Sequence, residues 1–320
     1  MDFAQSAKVG AFSIVSSCPS QYGRKLRIDI GILEKEIYEF ITTLIGFENI
    51  IQGDRSVLNG KEIDIFIPKC KISIEYNGLY WHTLETHSDK NYHLNKTNLC
   101  NDKGIKLIQI FEDEYVNHKD LVLSKIAHIL GKCENLPKIM ARKCEIKEIS
   151  ATKSKSFLNK NHIQGNGDGR IHLGAFYNGL LIGVMVFKNE CGDKWELTRF
   201  ATDNSYVCSG VGGKLFKYFT RTYNPTEVKS FADRRWTINE ESNVYTNLGF
   251  EFNGYTPPDY KYYSPFDGLI RHHKFNFRKT ILHKKYNLPL SMTESEMTKS
   301  LGYSKIYDCG LIKYIWKKRG

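Results

Sequence analysis

The chain has 320 residues, 41% of them hydrophobic and 25% charged, an ordinary composition for a folded protein and a length that allows two domains. It holds no apolar run of about eighteen residues, which excludes a transmembrane helix, and no apolar signal region with a small-residue cleavage site heads it. The formal net charge is +11, and residues 271–320 hold 12 of the basic groups against 3 acidic ones, a balance that favours a polyanion such as double-stranded DNA as partner and no membrane.

Residues 1–30 are weakly patterned and read as an irregular lead-in. Leu33, Ile37, Phe40, Ile41, Leu44 and Ile45 then share one helical stripe, ended by Gly46. Two alternating segments follow, Glu62 to Ile67 and Lys71 to Tyr76, the second turned by Asn77-Gly78. A polar helix over 88–103, a strand over 105–111 and a helix over 121–130 complete the first unit, and 132–136 reads as a linker. In the second unit, Ile171–Tyr177, Asn178-Gly179 and Leu180–Phe187 read as a hairpin. A strand over 195–200, a helix from Gly210 to Tyr223 and a strand over 228–232 follow, with a helical turn over 244–248. Thr293 and Glu296 have capping-box spacing. The fold class is α/β (α+β), with units at 31–131 and 138–270 and a basic tail at 271–320. The cysteines include no CxxC pair, which argues against structural zinc and suits reduced thiols in a cytoplasm.

Asp64 and Glu75 each interrupt an apolar strand, where an isolated carboxylate is costly to desolvate. A hard divalent cation, magnesium or manganese, would offset that cost and activate water against a phosphodiester. Of the helix glutamates, Glu34 lies nearest the apolar stripe and is the best placed third carboxylate, while Glu39 faces solvent. His82 can carry a proton near neutral pH, and His93 and Lys96 share a helix face.

Residues 31–131 resemble the very-short-patch-repair branch of the PD-(D/E)xK nucleases, closest to phage-borne homing endonucleases of the EDxHD and Hef-like groups. The resemblance is carried by Leu33 to Ile37, Glu62 to Pro68, Ile74 to His82, Tyr92-His93-x-x-Lys96 and Ile108 to Glu114. It implies that Asp64 and Glu75 hold the metal, that Glu34 supports it and that His82 is an acid/base group. Asn77 stands where the family's lysine belongs, so either Lys96 supplies that charge or His82 takes the role; Asp89 or His93 matches the last motif position.

A second constellation is the glycine loop Gly210, Gly212 and Gly213, which opens a helix and offers backbone N–H groups to an anion. Its place between a hairpin and Tyr245 to Phe250 is similar to the acyl-CoA N-acetyltransferase fold. Glu196 to Phe200 and Ser230 to Trp236 narrow the resemblance to Mom-like DNA-modification domains. That likeness implies a pyrophosphate at the loop, with Asp233, Arg199 and Tyr245 as candidate catalytic groups. Val207 stands where acetyltransferases carry Arg or Gln, so acetyl-CoA binding is expected to be weak or absent. In the tail, Arg271, Lys274, Arg278, Lys279, Lys284 and Lys285 are the expected phosphate contacts.

The expectation is a metal-dependent endodeoxyribonuclease, a free-standing homing endonuclease, whose second domain helps hold DNA. The alternatives are a base-modifying acyltransferase with a degenerate nuclease domain and a non-catalytic DNA-binding protein.

Overall fold

A computed structural model describes residues 19–87 and 89–318. The first unit runs α1 (Pro19–Ile45), β1 (Ile51–Leu58), β2 (Lys61–Ile67), β3 (Ile72–Asn77), α2 (Leu84–His87), α3 (Tyr92–Asp102), β4 (Lys106–Phe111) and α4 (Glu112–Ile129). Its sheet has the order β1-β2-β3-β4, with β3 and β4 parallel and the other pairs antiparallel. Every residue of β3 and β4 is buried, as expected of a parallel pair covered on both faces. On one face Ile37 and Ile41 of α1 and Val122 and Ile126 of α4 pack onto Ile65, Ile74 and Ile108. On the other, Cys100 of α3 packs with Ile63, Phe66 and Leu107.

Two sequence expectations differ here. Residues 19–30, read as part of an irregular lead-in, belong to α1; residues 1–18 lie outside the described residues. Strand β1 was not anticipated, because its burial is mostly exposed and so lacks the apolar alternation that marks a half-buried strand.

The second unit runs β5 (Lys138–Met140), β6 (Glu145–Glu148), α5 (Ala151–Asn161), β7 (Ile171–Tyr177), β8 (Leu180–Cys191), β9 (Lys194–Thr202), β10 (Val207–Ser209), α6 (Val211–Tyr223), β11 (Glu227–Asp233), α7 (Val244–Asn247) and β12 (Glu251–Tyr255). It continues with β13 (Tyr260–Tyr263), β14 (His272–His273), α8 (Lys279–Tyr286), α9 (Glu294–Ser300), β15 (Ser304–Tyr307) and β16 (Leu311–Lys317). The main sheet has seven strands in the order β12-β16-β11-β9-β8-β7-β6. The β7–β8 turn places Asn178 at φ 48° and Gly179 at φ 79°, the positive pair that a two-residue hairpin requires. Helix α6 sets Leu215, Phe216 and Phe219 against Phe187, Trp195 and Val228 of the sheet. Thr293 and Glu296 close the expected capping box on α9.

The tail expected over 271–320 is not an appendage. Strand β16 lies inside the seven-stranded sheet, paired to β11 and β12, and β15 and β14 flank β13 in a sheet of their own. The basic residues there hide this strand: Lys313 interrupts and Lys317 ends the apolar run of Leu311, Ile312, Tyr314, Ile315 and Trp316, and charge dominates the composition.

The overall class is mixed α/β, with the two units joined by polar contacts. Lys106 Nζ donates to the carbonyl of Arg234 at 2.6 Å, and Arg234 Nη2 donates to Asn98 Oδ1 at 2.8 Å.

Candidate functional site

Two clefts gather polar groups. The first, about 750 Å³, lies in the N-terminal unit and brings together Glu34, Asp64, Glu75, His82 and Lys96, the five residues singled out in the sequence. Strands β2 and β3 pair at Ile65 and Ile74, and beyond that point the Asp64 carboxylate accepts from the Tyr76 N–H at 2.8 Å. Glu75, on β3, is ion-paired with Lys96 from α3, both buried. Burial, with help from Asp64, pushes the Glu75 carboxyl up to about 8, against the opposing pull of Lys96. Burial followed by repulsion from Asp64 pushes Glu34 up to about 7. His82 Nδ1 lies 3.0 Å from His93 Nε2, and the two rings stack. Asp89 accepts from Asn91 and Asn95.

These carboxylates do not assemble as a metal centre. Among the described residues no three His, Cys, Asp or Glu side chains come together in a way that could hold an ion, and Glu75 is engaged by Lys96 instead. The carboxylates of Ile108 to Glu114 are structural. Glu112 accepts from the Leu79 N–H at 2.9 Å, and Asp113 and Glu114 bind arginines from the second unit.

The second cleft, about 390 Å³, opens where the sheet of the second unit splits. Strands β9 and β11 run parallel from Lys194 and Glu227 as far as Leu197 and Ser230, and no pairing continues beyond. Ser230 Oγ donates to the Leu197 carbonyl at 2.8 Å at the last paired position. From there Thr198 to Thr202 of β9 and Phe231 to Asp233 of β11 form the two walls. β9 is still paired to β8 on its far side, so only its cleft edge is open. Backbone groups on that edge lack a sheet partner.

Asn161 to Gln164, at and after the end of α5, and Lys125 of α4 close the cleft. Arg199 is tied down by donating Nε to the Gly165 carbonyl at 3.2 Å and Nη1 to the Thr198 carbonyl at 2.7 Å. Asp233, one of the sequence candidates, is held by Arg235, which donates Nη2 to Oδ2 at 2.6 Å, so it is a half-buried ion-pair partner. Tyr245 lines the cleft from α7, its ring stacked on Tyr314. Burial raises its hydroxyl above the usual range. The same effect holds His162 neutral, pushed down to about 3 by burial and the nearby Arg199 and Lys125 cations.

The glycine loop borders this cleft through Phe200. Gly210 caps α6 at φ 76°, in the left-handed region. A Cβ at Gly212 would sit 3.0 Å from the Phe200 ring, so its bareness serves packing; at Gly213 nothing lies within 4 Å. The loop is carried on β10, which pairs in parallel with β5.

Of the expected DNA contacts, Arg271 is placed elsewhere. It is buried and donates to Asp113 and Glu114 at 2.8 Å each, which removes it from any phosphate. Lys274 is paired with Asp259. Arg278 stacks over Phe275 at 4.3 Å and stays exposed, as do Lys284 and Lys285 on α8, while Lys279 is half-buried. Sequence reading missed Lys125, His162 and Gln164 in the second cleft. They come from α4 and the segment after α5, and no local spacing ties them to the glycine loop.

No family model matches the chain, and no curated protein matches it. It is similar in structure to the ribosomal-protein-S18-alanine N-acetyltransferase from Escherichia coli, at 12% identity and a TM-score of 0.32, over 55% of this chain and 96% of that one. It is similar to an acetyltransferase from Bacillus subtilis in complex with CoA, at 12% identity and a TM-score of 0.30, over 55% of this chain and 99% of the other. A GNAT family acetyltransferase from Elizabethkingia anophelis with acetyl-CoA bound has 15% identity and a TM-score of 0.28, with coverages of 55% and 99%. These findings correct two expectations. The similar structures are transferases, and the endodeoxyribonuclease assignment with its magnesium or manganese cofactor is withdrawn. The expectation of weak or absent acetyl-CoA binding is withdrawn as well: two of these similar structures hold CoA or acetyl-CoA. Among the described residues no helix is long and apolar enough to cross a membrane.

Proposed function

We propose that the chain is an acyl-CoA-dependent transferase whose acceptor is carried on double-stranded DNA. The observation that carries the reading is the parting of β9 from β11 beyond Leu197 and Ser230, which opens a cleft beside a glycine-capped helix. An open strand edge takes a ligand that has its own amide groups, by the same hydrogen bonds that add a strand to a sheet. The pantetheine arm of coenzyme A has such amides. The N-terminus of α6, with Gly210 and the open Gly213, offers N–H groups and the positive dipole end to its phosphates.

The chain's own residues supply the rest. A bound acyl-CoA would supply the acyl group to an acceptor nitrogen, which would release its proton to solvent as the C–S bond breaks, and the leaving thiolate would need a proton of its own. Tyr245 is kept protonated by burial and lines the cleft, so it is suited to hand over that proton. DNA as the carrier of the acceptor is supported by the net charge of +11 and by exposed Arg278, Lys284 and Lys285.

Titration of the full chain with acetyl-CoA tests the reading. Gly213→Glu places a carboxylate at the loop without a steric clash, so it should abolish binding while leaving the melting temperature unchanged. Equal binding by the wild type and this variant, or none by the wild type, would overturn the cofactor reading.

A further inference from the structure

We propose that the cleft between β9 and β11 holds an oxyanion, the phosphate of the acceptor, between Lys125, Arg199 and the Trp236 indole. This deepens the transferase reading and rests on it for the acceptor's role. Trp236 lines the cleft, and its Nε1 is buried without a hydrogen-bond partner. A buried N–H left without an acceptor is unfavourable, so an occupant that accepts from it is favoured. Lys125 Nζ stands 5.3 Å over the same indole ring and makes no hydrogen bond or ion pair among the described residues. Arg199 spends Nε and Nη1 on backbone carbonyls and has no carboxylate partner among the described residues.

Two of the side-chain acceptors in the cleft are already engaged. His162 Nδ1 accepts from the Gln164 N–H at 3.1 Å, which leaves the ring proton on Nε2 as another donor. Asp233, the one carboxylate in the lining among the described residues, is bound by Arg235 and by Gln164 Nε2 at 3.2 Å. The lining therefore presents two cations and unused N–H groups with its carboxylate occupied. A group that only accepts, and that carries negative charge, satisfies them together. Phosphate is the oxyanion that a DNA-borne acceptor brings. The phosphates of coenzyme A have the same chemistry, and the two sources are separable, because the cofactor's phosphates are assigned to the α6 loop.

The test is calorimetry on the full chain with three probes: inorganic phosphate, deoxyadenosine 5′-monophosphate and CoA. Lys125→Met and Arg199→Gln should each weaken the monophosphate by about tenfold or more, the loss expected of one charged hydrogen bond. Trp236→Phe keeps the ring, removes the N–H and should weaken it several-fold, which guards against a variant that merely misfolds. CoA affinity should stay within about twofold in Lys125→Met and Trp236→Phe, which lie off the open β9 edge. Unchanged monophosphate and phosphate binding across the folded variants would overturn the site. Displacement of the monophosphate by CoA would overturn its assignment to the acceptor. Monophosphate binding that depends on these residues in a chain that never binds CoA would keep the anion site and sink the transferase reading.

Discussion

Glu114 and Arg235 face each other as a two-pronged pair across the junction of the two units, Nη1 to Oε2 at 2.7 Å and Nη2 to Oε1 at 2.9 Å. Arg271 adds a third bond to Glu114 Oε1 at 2.8 Å, and its guanidinium lies 3.7 Å from the centre of the Phe111 ring. The two arginines come from segments that the sequence suggested for catalysis and for DNA. Their bonds hold the units in register instead.

Glu114→Gln should therefore be among the most destabilising polar substitutions, by roughly 3–5 kcal/mol, because it leaves two buried guanidiniums under-compensated. The arginines hold the Glu114 carboxyl down at about 2 against the opposing effect of burial. A depressed carboxylate contributes stability above its unfolded value, near 4.5, and loses it as pH falls toward the folded value. Denaturant melts between pH 5 and pH 2 should show this loss in the wild type and a flatter profile in Glu114→Gln. Parallel profiles would show that the pair adds nothing.

The N-terminal cleft has the opposite sign. Glu34 and Glu75 are raised to about 7 and about 8, mainly by burial. A raised carboxyl contributes stability below its unfolded value and loses it as pH rises through the folded one. Thermal melts from pH 5 to pH 9 should fall in the wild type, and the fall should be smaller in Glu75→Gln and Glu34→Gln. Glu39, exposed and paired with Lys35, serves as the control and should change nothing. A wild-type melting temperature that rises across this range would contradict the burial effect.

If α8 contacts phosphates, replacing Arg278, Lys279, Lys284 and Lys285 together with glutamine should flatten the salt dependence of DNA binding by up to about 0.9 per contact on a log–log plot. Target and random DNA should lose affinity alike. Arg271→Ala is expected to unfold the junction before it reports on DNA. A salt slope unchanged in the folded quadruple variant would move DNA binding off α8.

Tyr245→Phe should keep acetyl-CoA binding and lower the single-turnover rate of acyl transfer to DNA by about a hundredfold, the scale of one general acid. Equal rates would remove the tyrosine from the chemistry.

Much of the layout was legible because local rules were obeyed. The Asn178-Gly179 turn, the capping box of Thr293 and the alternation of Lys61–Ile67 each speak for themselves within a few residues. So did the gathering of Glu34, Asp64, Glu75, His82 and Lys96, since charged groups on buried strands must share neighbours. The ion pairing of Glu75 with Lys96 was open in the spacing, because Lys96 offers the same charge to a carboxylate as to a phosphate. The second cleft was illegible for a geometric reason. It exists because two parallel strands separate, and no residue pattern in either strand announces where its neighbour departs.

Strand β16 has a consequence for how the molecule is made. It sits between β11 and β12, yet it is the last of the seven strands to be synthesised. Until it arrives, β11 presents a bare edge beside the cleft, a template for pairing with other chains. A ribosome-bound chain thus carries a nearly finished first unit and a second unit with an unfilled slot in mid-sheet. In that state the chain would be sticky and open to proteolysis until β16 fills the slot.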